Sequence, residues 1–432
     1  MIDIEPVRVL PGARTEGHVM ELIYSLSKKP LYLLALGAFA IATEGFMIAP
    51  LLPNIAADFA VSVTAAGQLI TVFAFAYAIS SPILTALTGS LHRRRLLIGS
   101  LAAFAIANAI AWAATGFWTL MSARVLLAFA AGLYMPNANA VAGALVPAER
   151  RARAIATVHG GASVAIALGV PLGAIVGAAG GWRMTFAGVA VLAAIAAIGL
   201  HLGLPRGFGK NLPVASLGQR VRVARQPAVL LALLSTTLWA TGAYTVYTYI
   251  AVYLEATTGA YGAPLSVVVF IWGVSAVTGM VLGGRFADRI GPHRVLVLVL
   301  LVAVVAFAGL SAIARYVPQP HTLLPVLIMV ILWGTSIWGF VAPQQARLMS
   351  SVGVDVAPVA LSLNASFMYI GFSLGASLGT FVLSRGGVAH LGWVGALCEL
   401  AALGVLVLTR RRAVASAARQ PCDEVAPSRR AS

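Results

Sequence analysis

Glu44 is the residue of this 432-residue sequence whose surroundings point most directly to chemistry. It lies in the middle of an apolar run at about 31–53, nine residues before Pro53. A carboxylate at the centre of a bilayer is costly unless it faces a cavity or is neutralised. Desolvation favours the protonated form, so such a carboxyl can bind and release a proton. We therefore expect proton coupling at Glu44; the alternative is a structural partner for a neighbouring helix.

Arg124 is the basic residue that lies well inside another apolar run, at about 119–146. With a rise of about 1.5 Å per residue, Glu44 and Arg124 lie at similar depths, roughly 8–13 Å from the same end of their helices. The two side chains could therefore pair. The alternative is a buried arginine with a purely structural role.

Composition places these two residues in a membrane protein. The chain is 60% hydrophobic and 10% charged, whereas soluble domains carry about 25% charged residues. Apolar runs long enough to cross a bilayer recur along the sequence. The predicted spans are 31–53, 67–88, 96–115, 119–146, 155–178, 184–204, 228–254, 265–284, 295–314, 323–346, 358–383 and 390–409.

The distribution of charge predicts the orientation of these twelve helices. The net charge is +16, and nearly all of the 29 Lys and Arg residues lie in the tails and in alternate loops; the others are Arg124, Arg183, Arg315 and Arg385. Under the positive-inside rule both termini are cytoplasmic, which an even number of spans allows. A bacterial-type inner (plasma) membrane is the expected location. The basic residues form no patch with interleaved aromatic residues on a soluble domain, which argues against nucleic-acid binding.

The longest connection divides the sequence into two halves. We expect a cytoplasmic N-terminal tail (1–30), a six-helix half (31–204), a cytoplasmic linker (205–227), a second six-helix half (228–409) and a basic cytoplasmic tail (410–432). Each half has a basic turn between its second and third helices, at 89–95 and 284–294, so the halves look like weak repeats. Two such halves around a midplane site are typical of secondary transporters.

The turn after the eighth span carries the most specific motif. Gly284, Asp288, Arg289, Gly291 and Arg294 follow the pattern G-x-x-x-D-R-x-G with a following Arg. This pattern resembles the signature loop of the major facilitator superfamily. The resemblance implies an all-α fold of twelve transmembrane helices in two six-helix halves, and it implies that these five residues form a gating loop. The first-half counterpart has Arg93 where the acid would stand.

Further motifs resemble the twelve-helix drug:proton antiporter branch, and within it the bacterial purine, sugar and chloramphenicol efflux pumps. They are Leu51-Leu52-Pro53, Ala66-Gly67-Gln68-Leu69, Arg151-Ala152-Arg153-Ala154, Gly181-Trp182-Arg183, Trp333-Gly334 and Ala342-Pro343-Gln344-Gln345. In the fifth span, Gly169, Pro171 and Gly173 resemble the antiporter motif, although Val170 replaces a glycine. The alternative for these glycines is ordinary helix packing. Arg124 matches the arginine that the family is thought to use in proton coupling.

The resemblance also suggests a substrate site, because the first, fourth, seventh and tenth helices line the cavity in that family. The candidate lining residues are Asn137, Asn139, Tyr244, Tyr247, Trp333 and Gln344. Aromatic faces with a few amides suit a planar, polar solute. Packing against lipid or neighbouring helices is the alternative for each.

These observations lead to one functional expectation and two alternatives. We expect a transporter that exports a small solute (purine base or nucleoside, sugar or drug), driven by the proton gradient and acting as a monomer. The alternatives are a proton-coupled importer and a non-transporting sensor on the same fold. No Walker A, HExxH or CxxC pattern occurs, so neither an enzyme nor a bound metal or cofactor is expected. The role of Glu399, in the twelfth span, stays open.

Overall fold

The structure is a computed structural model that describes residues 13–204, 216–319, 321–352 and 356–417. The described chain is helical and contains no strand. Helices satisfy every backbone N–H and C=O within a single segment, which is what a chain this apolar needs inside lipid. Within the described ranges, twelve helices are long and apolar enough to cross a membrane. The predicted all-α fold with twelve membrane helices is thereby confirmed.

The first six spans are formed by seven helices. These are α1 (Ala13–Asp58), α2 (Val63–Leu87), α3 (Arg93–Trp112), α4 (Phe117–Ala144), α5 (Arg151–Val164), α6 (Val170–Gly180) and α7 (Trp182–Gly203). A π-helical turn, Ala165–Gly169, joins α5 to α6 within the fifth span. Pro171 follows this turn and has no N–H to continue the α-helical hydrogen bonds, which accounts for the irregularity.

The second set of spans and the helix before it comprise nine helices. These are α8 (Leu217–Ala224), α9 (Pro227–Tyr247), α10 (Ile250–Thr258), α11 (Ala263–Ile290), α12 (Pro292–Tyr316), α13 (Leu323–Gly339), α14 (Val341–Ser351), α15 (Ala357–Gly386) and α16 (Leu391–Ala417). Helix α8 lies within the predicted linker, of which residues 205–215 are outside the described ranges. Helices α1 and α16 reach into the segments predicted as the two tails.

Two predicted spans are interrupted rather than continuous. The seventh breaks between α9 and α10, where the Thr248 hydroxyl donates to the Tyr244 carbonyl at 2.6 Å; such back-bonding often bends helices. The tenth breaks at Phe340, between α13 and α14. Pro343 lies four residues after Gly339 and lacks the N–H that would bond its carbonyl.

The predicted loop at 283–294 is shorter than expected. Helix α11 continues to Ile290, and α12 begins at Pro292. Only Gly291 separates them, with φ of 89°. Glycine adopts this conformation at little cost, and proline is favoured in the first turn of a helix. A single residue therefore replaces the longer turn that the sequence suggested.

The chain forms two compact units, Met1–Ala215 with Tyr261–Val274 and Ser216–Ala260 with Ser275–Ser432. In unit 1, α1 packs against α5 and α7, and α3 packs against α4 and α7. In unit 2, α9 packs against α15 and α16, and α12 packs against α13 and α16. When the helices are numbered by span, each pair in unit 1 has a counterpart six spans later in unit 2. The pairs are 1–5 and 7–11, 1–6 and 7–12, 3–4 and 9–10, and 3–6 and 9–12. The two units thus repeat one packing scheme.

Helix α8 is held to unit 2 by one polar and one apolar contact. Arg220 donates from Nη1 to the Ser362 hydroxyl at 2.7 Å, and Val223 joins a buried cluster with Val229, Leu348 and Val352. Burial lowers the pKa of the Arg220 guanidinium from its ordinary value, but an arginine starts so high that it stays charged. The end of the predicted linker is therefore part of the folded unit.

Glycine lets α11 and α13 approach closely, and this gives a stability prediction. A Cβ at Gly279 would overlap the Thr335 carbonyl, whereas a Cβ at Gly284 would meet the Ala342 Cβ at 3.8 Å, an ordinary contact. We expect Gly279→Ala to destabilise the protein by about 1–3 kcal/mol through overpacking. Gly284→Ala, its control on the same helix, should be neutral or stabilising by up to about 1 kcal/mol. Thermal unfolding of the purified variants in detergent tests this; equal stability of the two variants would contradict the close approach.

Candidate functional site

The position of Glu44 is set by the packing of α1 against the fifth span. A Cβ at Gly161 would overlap the Ala35 carbonyl, one at Gly169 the Thr43 hydroxyl and one at Gly177 the Leu51 side chain. A Cβ at Gly173 would lie 3.2 Å from the Met47 Cβ. Residues four apart lie on one helix face, so these glycines form a groove that receives α1. The predicted antiporter glycines, Gly169 and Gly173, thus contact the residues that flank Glu44 on its own helix.

Glu44 and Arg124 form an ion pair across α1 and α4. Arg124 donates from Nη1 to Glu44 Oε1, and both side chains are fully buried. Burying two charges is unfavourable unless they are paired in good geometry. The pair that the sequence suggested from depth alone is therefore present.

Further contacts hold the Arg124 guanidinium in place. Its Nε donates to the Leu69 carbonyl at 3.2 Å, and its Cζ lies 4.1 Å from the centre of the Phe73 ring. Both partners belong to α2. Arginine over an aromatic face is stabilised by a cation–π interaction. The guanidinium is consequently anchored by α2 whether or not Glu44 carries a charge.

One of the two carboxyl oxygens of Glu44 is not used by Arg124. Oε2 is buried and has no hydrogen-bond partner among the described residues. An ionised carboxylate has about four acceptor sites, and a buried acceptor left unsatisfied is costly. A proton on this oxygen would remove the charge while Oε1 remains beside Arg124. The arrangement can therefore hold a proton.

The predicted gating residues lie around the junction of α11 and α12. Gly284 lies one turn before Asp288 on α11, Arg289 is in the last turn, and Gly291 makes the junction. Asp288, Arg289 and Arg294 are exposed. Most of the motif is thus helical, and its role in gating stays a prediction.

Three of the predicted substrate residues come together in unit 2. The rings of Tyr244 and Tyr247 lie 5.5 Å apart, and those of Tyr247 and Trp333 lie 6.3 Å apart in an edge-to-face arrangement. Tyr244 also stacks on Phe372 at 3.7 Å. All of these rings are buried. They form an aromatic cluster on α9, α13 and α15.

Gln344 lies in a separate polar network of unit 2. Its Nε2 donates to the Ala232 carbonyl at 2.8 Å and to the Thr236 hydroxyl at 3.0 Å. Thr236 in turn donates to Asn364 Oδ1 at 2.7 Å. The amide nitrogen of Gln344 is therefore used to join α14 to α9, and a solute would have to compete for it.

The two candidate asparagines of unit 1 differ in whether their side-chain amides are already hydrogen-bonded. Asn137 Oδ1 accepts from Arg93 Nη1 at 2.9 Å, and Asn137 Nδ2 donates to the Leu133 carbonyl. The Oδ1 of Asn139 is buried and has no partner among the described residues. Asn139 is the asparagine with an acceptor available to a ligand.

The structure adds two interactions that the sequence reasoning missed. Arg93, which replaces the acid of the first-half motif, is buried and joins α3 to α4 through Asn137. Asp58 accepts from Arg183 Nη1 at 2.5 Å, and Arg183 donates to the Ala114 carbonyl. Opposite charges at the ends of the first and sixth spans were the available signal for the second interaction. Among the described residues no three His, Cys, Asp or Glu side chains lie together as a metal site would need.

Comparison with known proteins gives one consistent family. The profile of the Major Facilitator Superfamily matches residues 34–376. The uncharacterized MFS-type transporter YbcL of Bacillus subtilis is 32% identical over 86% of this chain and 93% of its own length. The inner membrane transport protein YdhP of Escherichia coli is 32% identical over 89% of this chain and 96% of its own. A chloramphenicol resistance protein of Streptomyces lividans is 34% identical over 69% of this chain and 76% of its own.

Solved structures agree on the fold. A bacterial homologue of the human lysosomal transporter Spinster, captured inward-facing and unoccupied, superposes with a TM-score of 0.65 at 16% identity, covering 89% of this chain and 95% of that one. The human organic anion transporter MFSD10 (TETRAN) gives 0.68 at 15% identity, covering 88% and 99%.

The buried ion pair gives a prediction about stability. Removing one partner of such a pair costs about 3–5 kcal/mol because the other charge is left buried. We expect Glu44→Gln and Arg124→Gln each to destabilise unit 1, and the double variant to lose less than the sum.

The Asp58–Arg183 pair is the matched control, since its side chains are 41% and 34% exposed. Exposed pairs contribute about 0–1 kcal/mol, so the same cycle with Asp58→Asn and Arg183→Gln should give little coupling. Thermal unfolding of all six variants measures both cycles. Additive losses at Glu44 and Arg124 would rule out the pair.

Proposed function

Because this chain belongs to the Major Facilitator Superfamily of transporters, we propose that it exports a small solute in exchange for protons across a bacterial inner membrane. It is a multi-pass membrane protein, and its family consists of transporters rather than enzymes. The observation that carries the proposal is the buried Glu44–Arg124 pair in unit 1. Both termini lie in the cytoplasm in this proposal, in accord with the positive-inside rule.

Proton coupling follows from competition for one carboxyl. Glu44 has two ways to be neutralised, by Arg124 on Oε1 or by a proton on Oε2. A proton removes the charge that attracts the guanidinium, while the Leu69 carbonyl and the Phe73 ring keep Arg124 on α2. Protonation thus weakens the link between α1 and α4, while Arg124 keeps its contacts with α2. A transporter needs such a change to link proton binding to a rearrangement of helices.

Two observations support export as the direction of transport. The Streptomyces relative is a chloramphenicol resistance protein, and resistance by a transporter means removal of the drug from the cell. The glycines of the fifth span, which resemble the antiporter motif, contact α1 on both sides of Glu44. Export by antiport is therefore favoured over import by symport.

The aromatic cluster of unit 2 supports a substrate class. Tyr244, Tyr247 and Trp333 bring ring faces and edges together. Rings of this kind bind planar groups by stacking. Purine bases, nucleosides and aromatic drugs such as chloramphenicol fit this chemistry, and sugars also stack on such rings.

Glu44→Gln tests the coupling directly. The variant is neutral at every pH, so we expect solute-driven proton movement in proteoliposomes to fall by the proton that Glu44 carries, while exchange of labelled for unlabelled solute persists. Asp58→Asn is the control, since it removes a carboxyl from the same helix outside the pair. Proton movement that survives Glu44→Gln undiminished would contradict the proposal.

Direction and substrate are tested together in cells with and without the protein. A panel of purines, sugars and drugs including chloramphenicol should show at least one compound whose accumulation falls, or whose toxicity is reduced, when the protein is present. Accumulation that rises with the protein, and proton flux in the same direction as solute flux in inside-out vesicles, would indicate the symporter instead.

A further inference from the structure

Glu399 is a second carboxyl in the interior of the membrane part of the chain, and the mechanism above does not use it. It lies near the start of α16 in unit 2, and its side chain is fully buried. The elements packed against α16 are α9, α12, α15 and the turn Val388–His390. The carboxyl is thus inside the helical unit.

Two glycines make the space that Glu399 occupies. A Cβ at Gly242 on α9 would lie 2.8 Å from Glu399 Oε1 and 2.8 Å from the Gly395 carbonyl. Gly395 is one turn before Glu399 on α16, and a Cβ there would lie 3.2 Å from the Gly242 carbonyl. The helices therefore meet backbone to backbone at this level. Any larger residue at position 242 would collide with the carboxyl.

The carboxyl has no partner in this enclosure. Both Oε1 and Oε2 are buried and make no hydrogen bond to any described residue. No residue of α9 is charged, and its ionisable groups are Tyr244 and Tyr247.

The other ionisable groups on the packed elements lie at helix ends or are tyrosines, except for Cys398, which directly precedes Glu399 on α16. They are His293, Arg294, Arg315 and Tyr316 on α12, Tyr369 and Arg385 on α15, His390 in the turn, and Cys398 and the arginines after residue 409 on α16. None of the described ones bonds to Glu399. An isolated carboxylate in such a place is far less stable than the neutral acid, so Glu399 carries a proton in this conformation.

We propose that Glu399 is a second proton-binding site of the transporter, carried by unit 2 and separate from the Glu44–Arg124 pair. The inference rests on the proposed proton-coupled function. In the conformation seen here the acid is neutral and shielded. In a conformation that admits water between α9 and α16, the O–H bond breaks, the proton passes to water and the carboxylate remains, solvated. One cycle then moves a proton at Glu399 in addition to the one at Glu44.

The alternative is that Glu399 has a purely structural role and is a permanently neutral acid that fills space. Glu399→Gln distinguishes the two hypotheses, because the amide has nearly the same shape as the protonated acid but cannot release a proton. A space-filling role predicts unchanged transport at every pH. A proton site predicts a change in proton count with little change in folding.

The first measurement is the number of protons moved per solute in proteoliposomes, with wild type, Glu399→Gln, Glu44→Gln and Glu255→Gln. Glu255 is exposed at the end of α10, so its variant is the control for the substitution itself. We expect Glu399→Gln to move one proton fewer per solute than wild type and Glu255→Gln to match wild type. An unchanged proton count in Glu399→Gln overturns the proposal. If the wild-type protein moves no protons with solute, the proposed proton-coupled function is wrong. That result differs from the one that overturns only the role of Glu399.

The second measurement uses wild-type protein and does not depend on the folding of a variant. Dicyclohexylcarbodiimide modifies protonated carboxyls in apolar surroundings, and peptide mass spectrometry locates the adduct in wild-type protein. We expect modification at Glu399 that falls as pH rises and that changes when a transported solute is bound. Absence of modification at every pH, or modification that neither pH nor solute alters, contradicts a site that exchanges its proton during transport.

Discussion

The close approach of helix backbones through glycine is the constraint on which the rest of this structure depends. In lipid there is little hydrophobic drive between helices, so association relies on tight packing and on polar contacts between helices. Here the fifth span meets α1 through Gly161, Gly169, Gly173 and Gly177. The eleventh span meets α9 in the same manner, since Cβ atoms at Gly371, Gly375 and Gly379 would press on the carbonyls of Thr237, Thr241 and Thr245. The two units repeat this contact as they repeat their other helix pairs.

The same packing places the two buried acids in different environments. In unit 1 the carboxyl of Glu44 reaches across to α4 and meets a cation. In unit 2 the contact between α9 and α16 encloses Glu399, which pairs with no cation among the described residues. A repeated scaffold thus supports two distinct electrostatic arrangements. The threonines of α9 contribute to this, because Thr237, Thr241 and Thr245 donate to carbonyls of their own helix. Their hydroxyls are consequently satisfied within α9.

The sequence predicted the features that depend on composition or on distance along a helix. Twelve spans follow from apolar length, and the Glu44–Arg124 pair follows from equal depth in two spans. The interruptions near Thr248 and Phe340 were not predicted, since each depends on local hydrogen bonds that hydropathy does not register. The hydrogen-bond partners of Asn137 and Gln344 could not be predicted either. An amide in a sequence does not indicate whether a backbone carbonyl or an arginine will lie opposite it in the fold. Glu399 could be placed in a span but not judged buried, as burial depends on which helix face meets α9.

The four-residue spacing of these glycines limits how such sequences can change in length. An α-helix turns by about 100° per residue, so inserting or deleting one residue between Gly371 and Gly379 would rotate the glycines beyond it away from α9 and bring a larger side chain to the contact. The π-helical turn at Ala165–Gly169 already accommodates an extra residue between Gly161 and Gly173 while keeping both against α1. Length variation in related chains should accordingly collect in the connections between spans and be absent from the stretches between paired glycines.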